Sequence, residues 1–178
     1  MTGKRLTQSP KVRFEGMVKT YARDMYRYAL ALSRSPSMAE DVVQETFLRA
    51  WRRLETLRDP TKAKSWLFTT LRREYFRQFE RYRPEFVDLD IDAIKTEENS
   101  ADEDRAIMVR AIWSLPENHR DVLALQVIGG YTGHEIGEML GLPRATVNTR
   151  LFRARQSLKR VLAEPQIPVK TRHTGPKT

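Results

Sequence analysis

The chain has 178 residues and no cysteine, which excludes disulfide bonds and thiolate metal sites. Its 32 Lys and Arg against 23 Asp and Glu give a net charge of +9, which favours a polyanionic partner such as nucleic acid or an anionic membrane surface. The N-terminus lacks the apolar segment of a signal peptide, and no run approaches the roughly 20 apolar residues that span a bilayer, so the sequence predicts a soluble cytoplasmic protein without membrane insertion.

The charge is distributed in three blocks. Residues 84–104 carry nine acidic and one basic side chain, whereas the blocks before and after them carry net charges of +10 and +7. This acidic segment, which begins at Pro84, is interpreted as a linker between two basic domains at 12–83 and 105–162, with a solvated surface loop as the alternative. Residues 1–11 and 163–178 are predicted to be disordered.

Helix signals dominate the chain, and strand signals are weak. In an S/T-x-x-E pair the hydroxyl and the glutamate satisfy amides that the start of a helix leaves unpaired, and four pairs fit this pattern: Ser37/Glu40, Ser100/Glu103, Ser114/Glu117 and Thr132/Glu135. The predicted fold is all-α, with two small helical domains joined by the acidic linker. The predicted helices are 12–34, 39–57, 62–83, 101–114, 117–129, 133–140 and 144–162.

The first two predicted helices each have an apolar stripe. The stripe of the first helix should form core and contains Phe14, Met17, Val18, Tyr21, Met25, Tyr28 and Leu32. In the second helix the predicted buried residues are Val43, Phe47, Ala50, Trp51 and Leu54, and the predicted outer residues are Asp41, Glu45, Leu48, Arg49 and Arg52. That outer face is either a solvated surface with a Glu45/Arg49 pair or a surface for a partner.

The third predicted helix combines aromatic and basic residues. Its inward stripe is predicted to contain Leu67, Phe68, Leu71, Tyr75, Phe79 and Tyr82, and its outer face Trp66, Thr70, Arg73, Arg77 and Arg81. Bases stack on aromatic rings while guanidinium groups follow phosphates, so this face suits single-stranded nucleic acid. A basic helix with a half-buried aromatic residue is the alternative.

The C-terminal segment predicts a helix-turn-helix. A short helix ends at Gly141, and a longer helix follows Pro143. The inward residues of the longer helix are Val147, Leu151, Ala154, Leu158 and Val161, and its outward residues are Thr149, Phe152, Arg153, Gln156 and Arg160, with Asn148 at the flank. Arg and Asn can pair with base edges in the major groove and Phe can contact a thymine methyl group, which indicates a reader of duplex DNA.

The sequence offers little for catalysis. Its histidines are His119, His134 and His173, and "HEIGE" lacks the second histidine of a zinc-binding H-E-x-x-H motif. There is no phosphate-binding glycine loop. The sequence therefore predicts a protein that is not an enzyme, with no catalytic residue, metal site or cofactor.

Three stretches together resemble the extracytoplasmic-function (ECF) class of bacterial RNA polymerase sigma factors. They are "AEDVVQETFLRAW" at 39–51, "KSWLFTTLRR" at 64–73 and "YTGHEIGEMLGLPRATVNTRLFRARQSL" at 131–158. The resemblance implies a transcription initiation factor, often of a stress response, in which 12–83 is sigma region 2 and 105–162 is sigma region 4. Its implied partners are core RNA polymerase, promoter DNA and an anti-sigma factor.

The resemblance also implies roles for individual residues. The polymerase clamp coiled coil would be bound by Asp41, Gln44, Glu45, Leu48 and Arg49. The −10 promoter element would be opened and bound by Lys62, Lys64, Trp66, Thr70, Arg73, Arg77 and Arg81. The −35 element would be read as a duplex by Arg144, Thr146, Asn148, Thr149, Phe152, Arg153 and Gln156.

Three positions depart from the family's usual residues, namely Arg73, Ala145 and Asn148, so the promoter sequence does not carry over from relatives. The alternative function is a stand-alone helix-turn-helix transcriptional regulator. That alternative explains 131–162 but leaves the motif at 39–51 and the basic, aromatic third helix without a role.

Overall fold

The computed structural model describes residues 9–57, 59–82 and 100–163. Within these ranges the chain forms α-helices and no strand, which confirms the all-α prediction. Two short 3-10 turns, Leu54–Thr56 and Pro60–Lys62, connect the second helix to the third. The α-helices are α1 (Pro10–Ser33), α2 (Pro36–Arg52), α3 (Ala63–Tyr82), α4 (Ser100–Trp113), α5 (Glu117–Val127), α6 (Gly133–Leu140) and α7 (Arg144–Ala163).

The break between α1 and α2 is made by local backbone chemistry. Arg34 adopts the left-handed conformation (φ 55°), and its amide donates to the Leu30 carbonyl. Ser35 caps α2 by accepting a hydrogen bond from the Met38 amide, and Pro36 occupies the first helical turn. Proline has no amide hydrogen to leave unpaired there, so the helix starts before the predicted Ser37/Glu40 pair, and that capping prediction was wrong.

The other capping predictions had mixed outcomes. Thr132 and Glu135 form the predicted reciprocal pair at the start of α6. The Ser114/Glu117 prediction was wrong because Pro116 precedes α5 with its φ fixed at −53°, and no side chain caps that helix. The side chains of the Ser100/Glu103 pair lie outside the part of the chain that the structure describes.

Helices α1, α2 and α3 pack around the core of the N-terminal domain. Its fully buried side chains include Met25, Tyr28, Leu32, Val42, Leu67, Phe68 and Leu71. The burial predicted for α3 is confirmed at Leu67, Phe68, Leu71 and Tyr75, and Phe79 is half-buried. Tyr82 ends the described part of α3, and its side chain lies outside the described residues.

The burial predicted for α2 was partly wrong. Its buried residues are Ala39, Val42, Thr46 and Ala50, while Trp51 is 47% exposed. Small side chains allow α2 to approach its neighbours closely, so the helix turns its large rings towards the edge of the domain. There the ring of Phe14 meets that of Trp51 edge to face, with their centroids 5.1 Å apart.

Helices α4 to α7 form the C-terminal domain. Its fully buried residues include Leu115, Val122, Leu125, Ile136 and Val147. The inward face predicted for α7 is confirmed, since Val147, Leu151 and Ala154 are buried and Leu158 and Val161 are half-buried.

The two domains pack directly on each other, because α5 and α4 contact α1. The aromatic rings of Tyr28, Phe68 and Tyr131 run across the boundary, with centroid distances of 5.4 Å and 5.6 Å. Helix α4 begins at Ser100, so the last five residues of the predicted linker are helical, and 84–99 lie outside the described residues. In the described ranges we find no helix that is both long and apolar enough to span a bilayer.

Candidate partner-binding surfaces

A groove of about 640 Å³, called here the acidic groove after its carboxylates Asp41 and Glu45, lies between α2 and the C-terminal half of α3, which contributes Arg77 and Arg81. It brings together four of the residues predicted to bind polymerase, Asp41, Gln44, Glu45 and Leu48, and two predicted −10 contacts from α3. Its full lining is Ser35, Ser37, Met38, Asp41, Gln44, Glu45, Leu48, Arg77, Gln78 and Arg81. The structure therefore places Arg77 and Arg81 beside the α2 acids rather than on a separate surface.

Below this groove a buried carboxylate, Glu74, connects the two helices. Arg49 Nε lies 2.9 Å from Glu74 Oε2 and 2.9 Å from Glu45 Oε1, and Arg77 and Gln78 also donate to Glu74. Burial alone would raise the pKa of Glu74, but the hydrogen bonds from Arg77 and Gln78 and the charge of Arg49 hold that pKa below its usual value. Glu74 therefore joins Arg77, which lines the groove, to Arg49, which lines neither groove.

Glu74 was missed in the sequence. The signal that could have found it is its position on the inward stripe of α3, beside Tyr75 and three residues after Leu71. A carboxylate at such a position needs cationic partners, because an unpaired charge is costly to bury.

A second groove, of about 600 Å³, adjoins the acidic groove along α2. It is apolar and is lined by Lys11, Phe14, Glu15, Val18, Gln44, Phe47, Leu48 and Trp51. Gln44 and Leu48 border both grooves, so the two form one continuous surface. The exposed Trp51 gives this surface a large ring that is available to a partner.

The predicted −10 residues at the start of α3 divide between two sides of the helix. Trp66 and Thr70 are half-buried, and the Thr70 hydroxyl donates to the Trp66 carbonyl at 2.7 Å, while Arg73 is exposed on the same side. Lys64 instead lies over the ring of Tyr131 in the other domain, 5.4 Å from its centroid. Lys62 is exposed in the turn before the helix.

The turn before α3 is held by its own side chain. The Asp59 carboxylate accepts hydrogen bonds from the Thr61 amide at 2.9 Å and the Thr61 hydroxyl at 2.7 Å. These two bonds lower the pKa of Asp59. The carboxylate is therefore ionised at neutral pH, and its two hydrogen bonds hold the conformation of the turn.

The predicted helix-turn-helix is present as α6, a tight turn and α7. Gly141 ends α6 at φ +65°, a conformation that favours glycine. A β-carbon at Gly137 would lie 2.7 Å from the Leu142 carbonyl oxygen, so the backbone of the turn passes too close for any larger residue. These contacts fix α7 against α6.

The outer face of α7 is open. Phe152 is 61% exposed, and the other exposed predicted −35 residues are Arg144, Asn148, Thr149, Arg153 and Gln156. Thr146 is half-buried, and a β-carbon on Gly133 would lie 2.8 Å from Asn148 Oδ1, which places that amide against the start of α6.

Arginine side chains make the electrostatic potential near this face of α7 positive. The pKa of His119 is lowered first by its partial burial and then by the charges of Arg153 and Arg150. Phe152 is exposed beside Arg153 on the second helix of the helix-turn-helix, an arrangement that suits contact with duplex DNA.

Comparisons with known families match both domains. The family model for Sigma-70 region 2 matches residues 17–85, and the model for Sigma-70, region 4 matches residues 105–158. These matches include all of the acidic groove, the α2 side of the apolar groove, α3, α6 and α7 as far as residue 158.

Relatives match most of the chain. The ECF RNA polymerase sigma factor SigL of Mycobacterium tuberculosis (strain ATCC 25618 / H37Rv) is 34% identical over 152 residues, which cover 81% of this chain and 85% of SigL. The ECF RNA polymerase sigma factor SigM of Bacillus subtilis (strain 168) is 30% identical over 146 residues, which cover 78% of this chain and 88% of SigM.

Two solved structures share the fold. The sigma factor RpoE in complex with the anti-sigma factor NepR from Bartonella quintana superposes with a TM-score of 0.69 at 24% identity, over 84% of this chain and 96% of that one. CnrH in complex with the cytosolic domain of CnrY superposes with a TM-score of 0.62 at 25% identity, over 84% of this chain and 86% of CnrH.

Proposed function

The chain belongs to the ECF RNA polymerase sigma factors, and from that premise we propose which of its surfaces contacts each partner in promoter-specific initiation. Sigma factors are non-enzymatic initiation factors that bind core RNA polymerase and recognise promoter DNA. Three surfaces need roles: the two grooves along α2, the outer face of α3 and the outer face of α7.

The acidic groove and the apolar groove bind the clamp coiled coil of the polymerase. This assignment is supported by four side chains that line one concave surface, namely Asp41, Gln44, Glu45 and Leu48. Carboxylates at the rim suit a basic helix, and the neighbouring Trp51 supplies the large ring that is enriched at the centres of interfaces. Arg49 belongs to this surface through its bonds to Glu45 and Glu74.

The outer face of α3 takes the −10 element after strand separation. Trp66, Thr70 and Arg73 lie on one side of the helix, where an unstacked base can contact the indole and the guanidinium can contact a phosphate. Lys62 extends this basic surface towards the start of the helix, whereas Lys64, the other predicted −10 lysine, lies over the Tyr131 ring of the C-terminal domain and would reach DNA only by leaving that ring. Arg77 and Arg81 lie further along α3, where they would hold the DNA backbone beside the polymerase-bound groove.

The outer face of α7 reads the −35 element in the major groove. Asn148, Thr149, Phe152 and Arg153 are the proposed base-edge contacts, and Gln156 continues their row. Arg144 and Thr146 lie at the N-terminal end of α7, where a helix approaches a DNA phosphate.

Regulation by an anti-sigma protein is the further expected interaction. The relative RpoE was crystallised with the anti-sigma factor NepR, and this chain superposes on RpoE over 84% of its length. We propose that an anti-sigma partner binds this chain as well.

The decisive observation for the polymerase assignment is the clustering at the acidic groove, and charge reversal tests it. In the double variant Asp41→Lys, Glu45→Lys we expect core polymerase binding to fall at least about a hundredfold, because each substitution puts a like charge against a basic partner. Titration of fluorescent protein with purified core polymerase measures this, and promoter-directed transcription should be lost in parallel.

The matched control is Asp24→Lys, Glu40→Lys, which changes the net charge by the same amount at exposed or half-exposed positions of α1 and α2 that do not line the groove. It should bind polymerase normally. If the groove variant bound core polymerase as tightly as the wild-type chain, the assignment of the groove to the polymerase would be wrong. Tight operator binding by the wild-type chain without any polymerase association would favour the stand-alone regulator.

A further inference from the structure

The charges on the surface of the acidic groove do not favour a basic partner by themselves. The lining contributes two carboxylates, Asp41 and Glu45, and two arginines, Arg77 and Arg81. A third arginine, Arg49, lies against the groove acid Glu45, with its Nε 2.9 Å from Oε1. Three cations beside two carboxylates would repel a basic helix, so the proposed use of this groove needs a further negative charge.

Glu74 supplies that charge from beneath the groove. Its side chain is only 2% exposed, and Arg49 Nε lies 2.9 Å from its Oε2. Arg77 Nε lies 3.1 Å from both carboxylate oxygens, and Arg77 Nη2 also donates to Oε1. Two of the three arginines are therefore paired with a carboxylate that a partner on the surface cannot reach.

Arg49 is divided between two acids. Its Nε carries one hydrogen, yet the nearest oxygens of Glu45 and Glu74 both lie 2.9 Å away. Glu45 is therefore only partly neutralised by its neighbour one turn along α2. Without the charge of Glu74, the i,i+4 pair would hold Arg49 on Glu45 alone, and Arg77 would turn towards the remaining carboxylates of the groove.

Stability does not account for a carboxylate at this position. Glu74 lies on the inward stripe of α3 with Leu71 and Tyr75, which are both buried. The cost of removing charges from water can exceed their attraction, so a buried ion pair is often no more stabilising than apolar side chains of similar volume. The charge of Glu74 therefore points to a role beyond joining α2 to α3.

We propose that Glu74 is a positioning residue for polymerase binding, which compensates the charges of Arg49 and Arg77. The two groove carboxylates then stay available to a basic segment of the partner. Glu74 itself contacts no partner and acts only through the two arginines. This inference rests on the proposed function, because it takes the polymerase clamp as the partner of the groove.

Removal of the Glu74 charge tests this role. In Glu74→Gln we expect the affinity for core polymerase to fall about tenfold at low salt, because one positive charge beside the groove acids is no longer compensated. The difference should shrink as salt is raised, since Arg49 and Arg77 are partly exposed and their charges are screened. Titration of the fluorescent full chain with purified core polymerase, in the absence of DNA, measures both effects.

A double variant distinguishes charge from packing. Glu74→Gln, Arg77→Gln has the net charge of the wild-type chain, and we expect its affinity for core polymerase to return to within about threefold of the wild-type value. A purely structural role predicts the opposite, because the double variant has lost one more side chain of the network. The proposed −10 contact of Arg77 does not enter this measurement, since no DNA is present.

Glu80→Gln is the matched control. Glu80 is an exposed acid of the same helix that lines neither groove, so the variant removes the same charge elsewhere on α3 and should change the affinity by less than about twofold. Glu74→Met repeats the test if the glutamine variant loses helical structure. An apolar side chain of similar length suits the buried site, and this variant should show the same loss of affinity.

The outcomes separate this inference from the proposed function. If Asp41→Lys, Glu45→Lys loses polymerase binding while Glu74→Gln and Glu74→Met bind as the wild-type chain does, the groove assignment stands and the role of Glu74 is wrong. A double variant that binds no better than Glu74→Gln would show that Glu74 is only structural. Failure of the wild-type chain to bind core polymerase would overturn the groove assignment and this inference with it.

Discussion

Arg153 is the residue whose role in base reading is easiest to separate from general attraction to DNA. It is exposed on α7 beside Phe152, on the face that carries the predicted −35 contacts. If its guanidinium pairs with a base edge, Arg153→Ala should weaken binding to the selected −35 duplex by about 1 to 3 kcal/mol and leave binding to a scrambled duplex almost unchanged. Fluorescence anisotropy with both duplexes measures the difference.

Lys159→Ala is the control for this experiment, because Lys159 is an exposed cation of the same helix that lies nearer its C-terminal end. It should weaken both duplexes slightly and equally. An equal loss on both duplexes for Arg153→Ala would make Arg153 a phosphate contact.

Glu74 makes stability depend on pH. Its folded-state pKa is lowered by Arg77, Gln78 and Arg49, so the ionised form is favoured in the folded state. The stabilisation is therefore fully present above the unfolded pKa of about 4.3 and is lost as pH falls through the lower folded value. We expect Glu74→Gln to cost about 1.5 kcal/mol at pH 7, at the low end for bonds to a charged group because Arg49 and Arg77 are partly exposed.

Urea unfolding of both forms at pH 7 and at pH 3 to 4 measures this prediction, and the gap between them should shrink at the lower pH. Glu80→Gln, an exposed acid on the same helix, should leave the unfolding free energy nearly unchanged. A gap of equal size at both pH values would show that Glu74 acts through packing rather than charge.

At the scale of elements, the contact between α6 and the turn that follows it is sterically constrained at Gly137. Alanine at Gly137 would bring its β-carbon to 2.7 Å from a backbone oxygen that cannot rotate away. We expect Gly137→Ala to cost about 1 to 3 kcal/mol by overpacking and to weaken −35 binding, because α7 would shift relative to α6. Thermal unfolding and duplex titration measure the two effects.

Gly16→Ala is the matched control, since no atom outside its own helix lies within 4 Å of the added carbon. There the same substitution should stabilise α1 by about 0.5 to 1 kcal/mol, because alanine is the better helix former. Equal effects at Gly16 and Gly137 would contradict the steric argument.

Local sequence patterns predicted some elements well and others poorly. The inward residues of α7 and the Thr132/Glu135 cap follow from spacing along one helix, and both are present. The burial of Ala39 and Thr46 in α2 was missed because Trp51 is more hydrophobic than either of them. Burial there follows from how closely helices can approach, and a single helix's pattern does not contain that information.

At the scale of the whole molecule, the charge blocks predicted two domains but not their packing. Tyr28 and Asp121 are 93 residues apart, and in the sequence Asp121 looks like any polar residue on a helix surface. The same limit applies to the candidate site. The outward residues of α2 and α3 were predicted separately, while their meeting in one groove with Glu74 beneath it depends on tertiary packing.

The net charge of +9 also acts on the molecule as a whole. It draws the protein to nucleic acid of any sequence, and salt weakens this general attraction steeply. Selectivity must then come from the few contacts with base edges and from the two readers binding together.

At the end of α1, Trp113 Nε1 donates to the Leu30 carbonyl and Arg120 Nη2 donates to the Leu32 carbonyl, both at 3.3 Å. These contacts have a consequence for genetics. A substitution at either position lies in the half of the gene that encodes the proposed −35 reader, yet it removes a hydrogen bond from the last turn of a helix in the other half. Its phenotype would include altered behaviour at the −10 element with an intact recognition helix. Alleles from a genetic screen should therefore be sorted by which domain contacts the altered side chain, not by which domain encodes it.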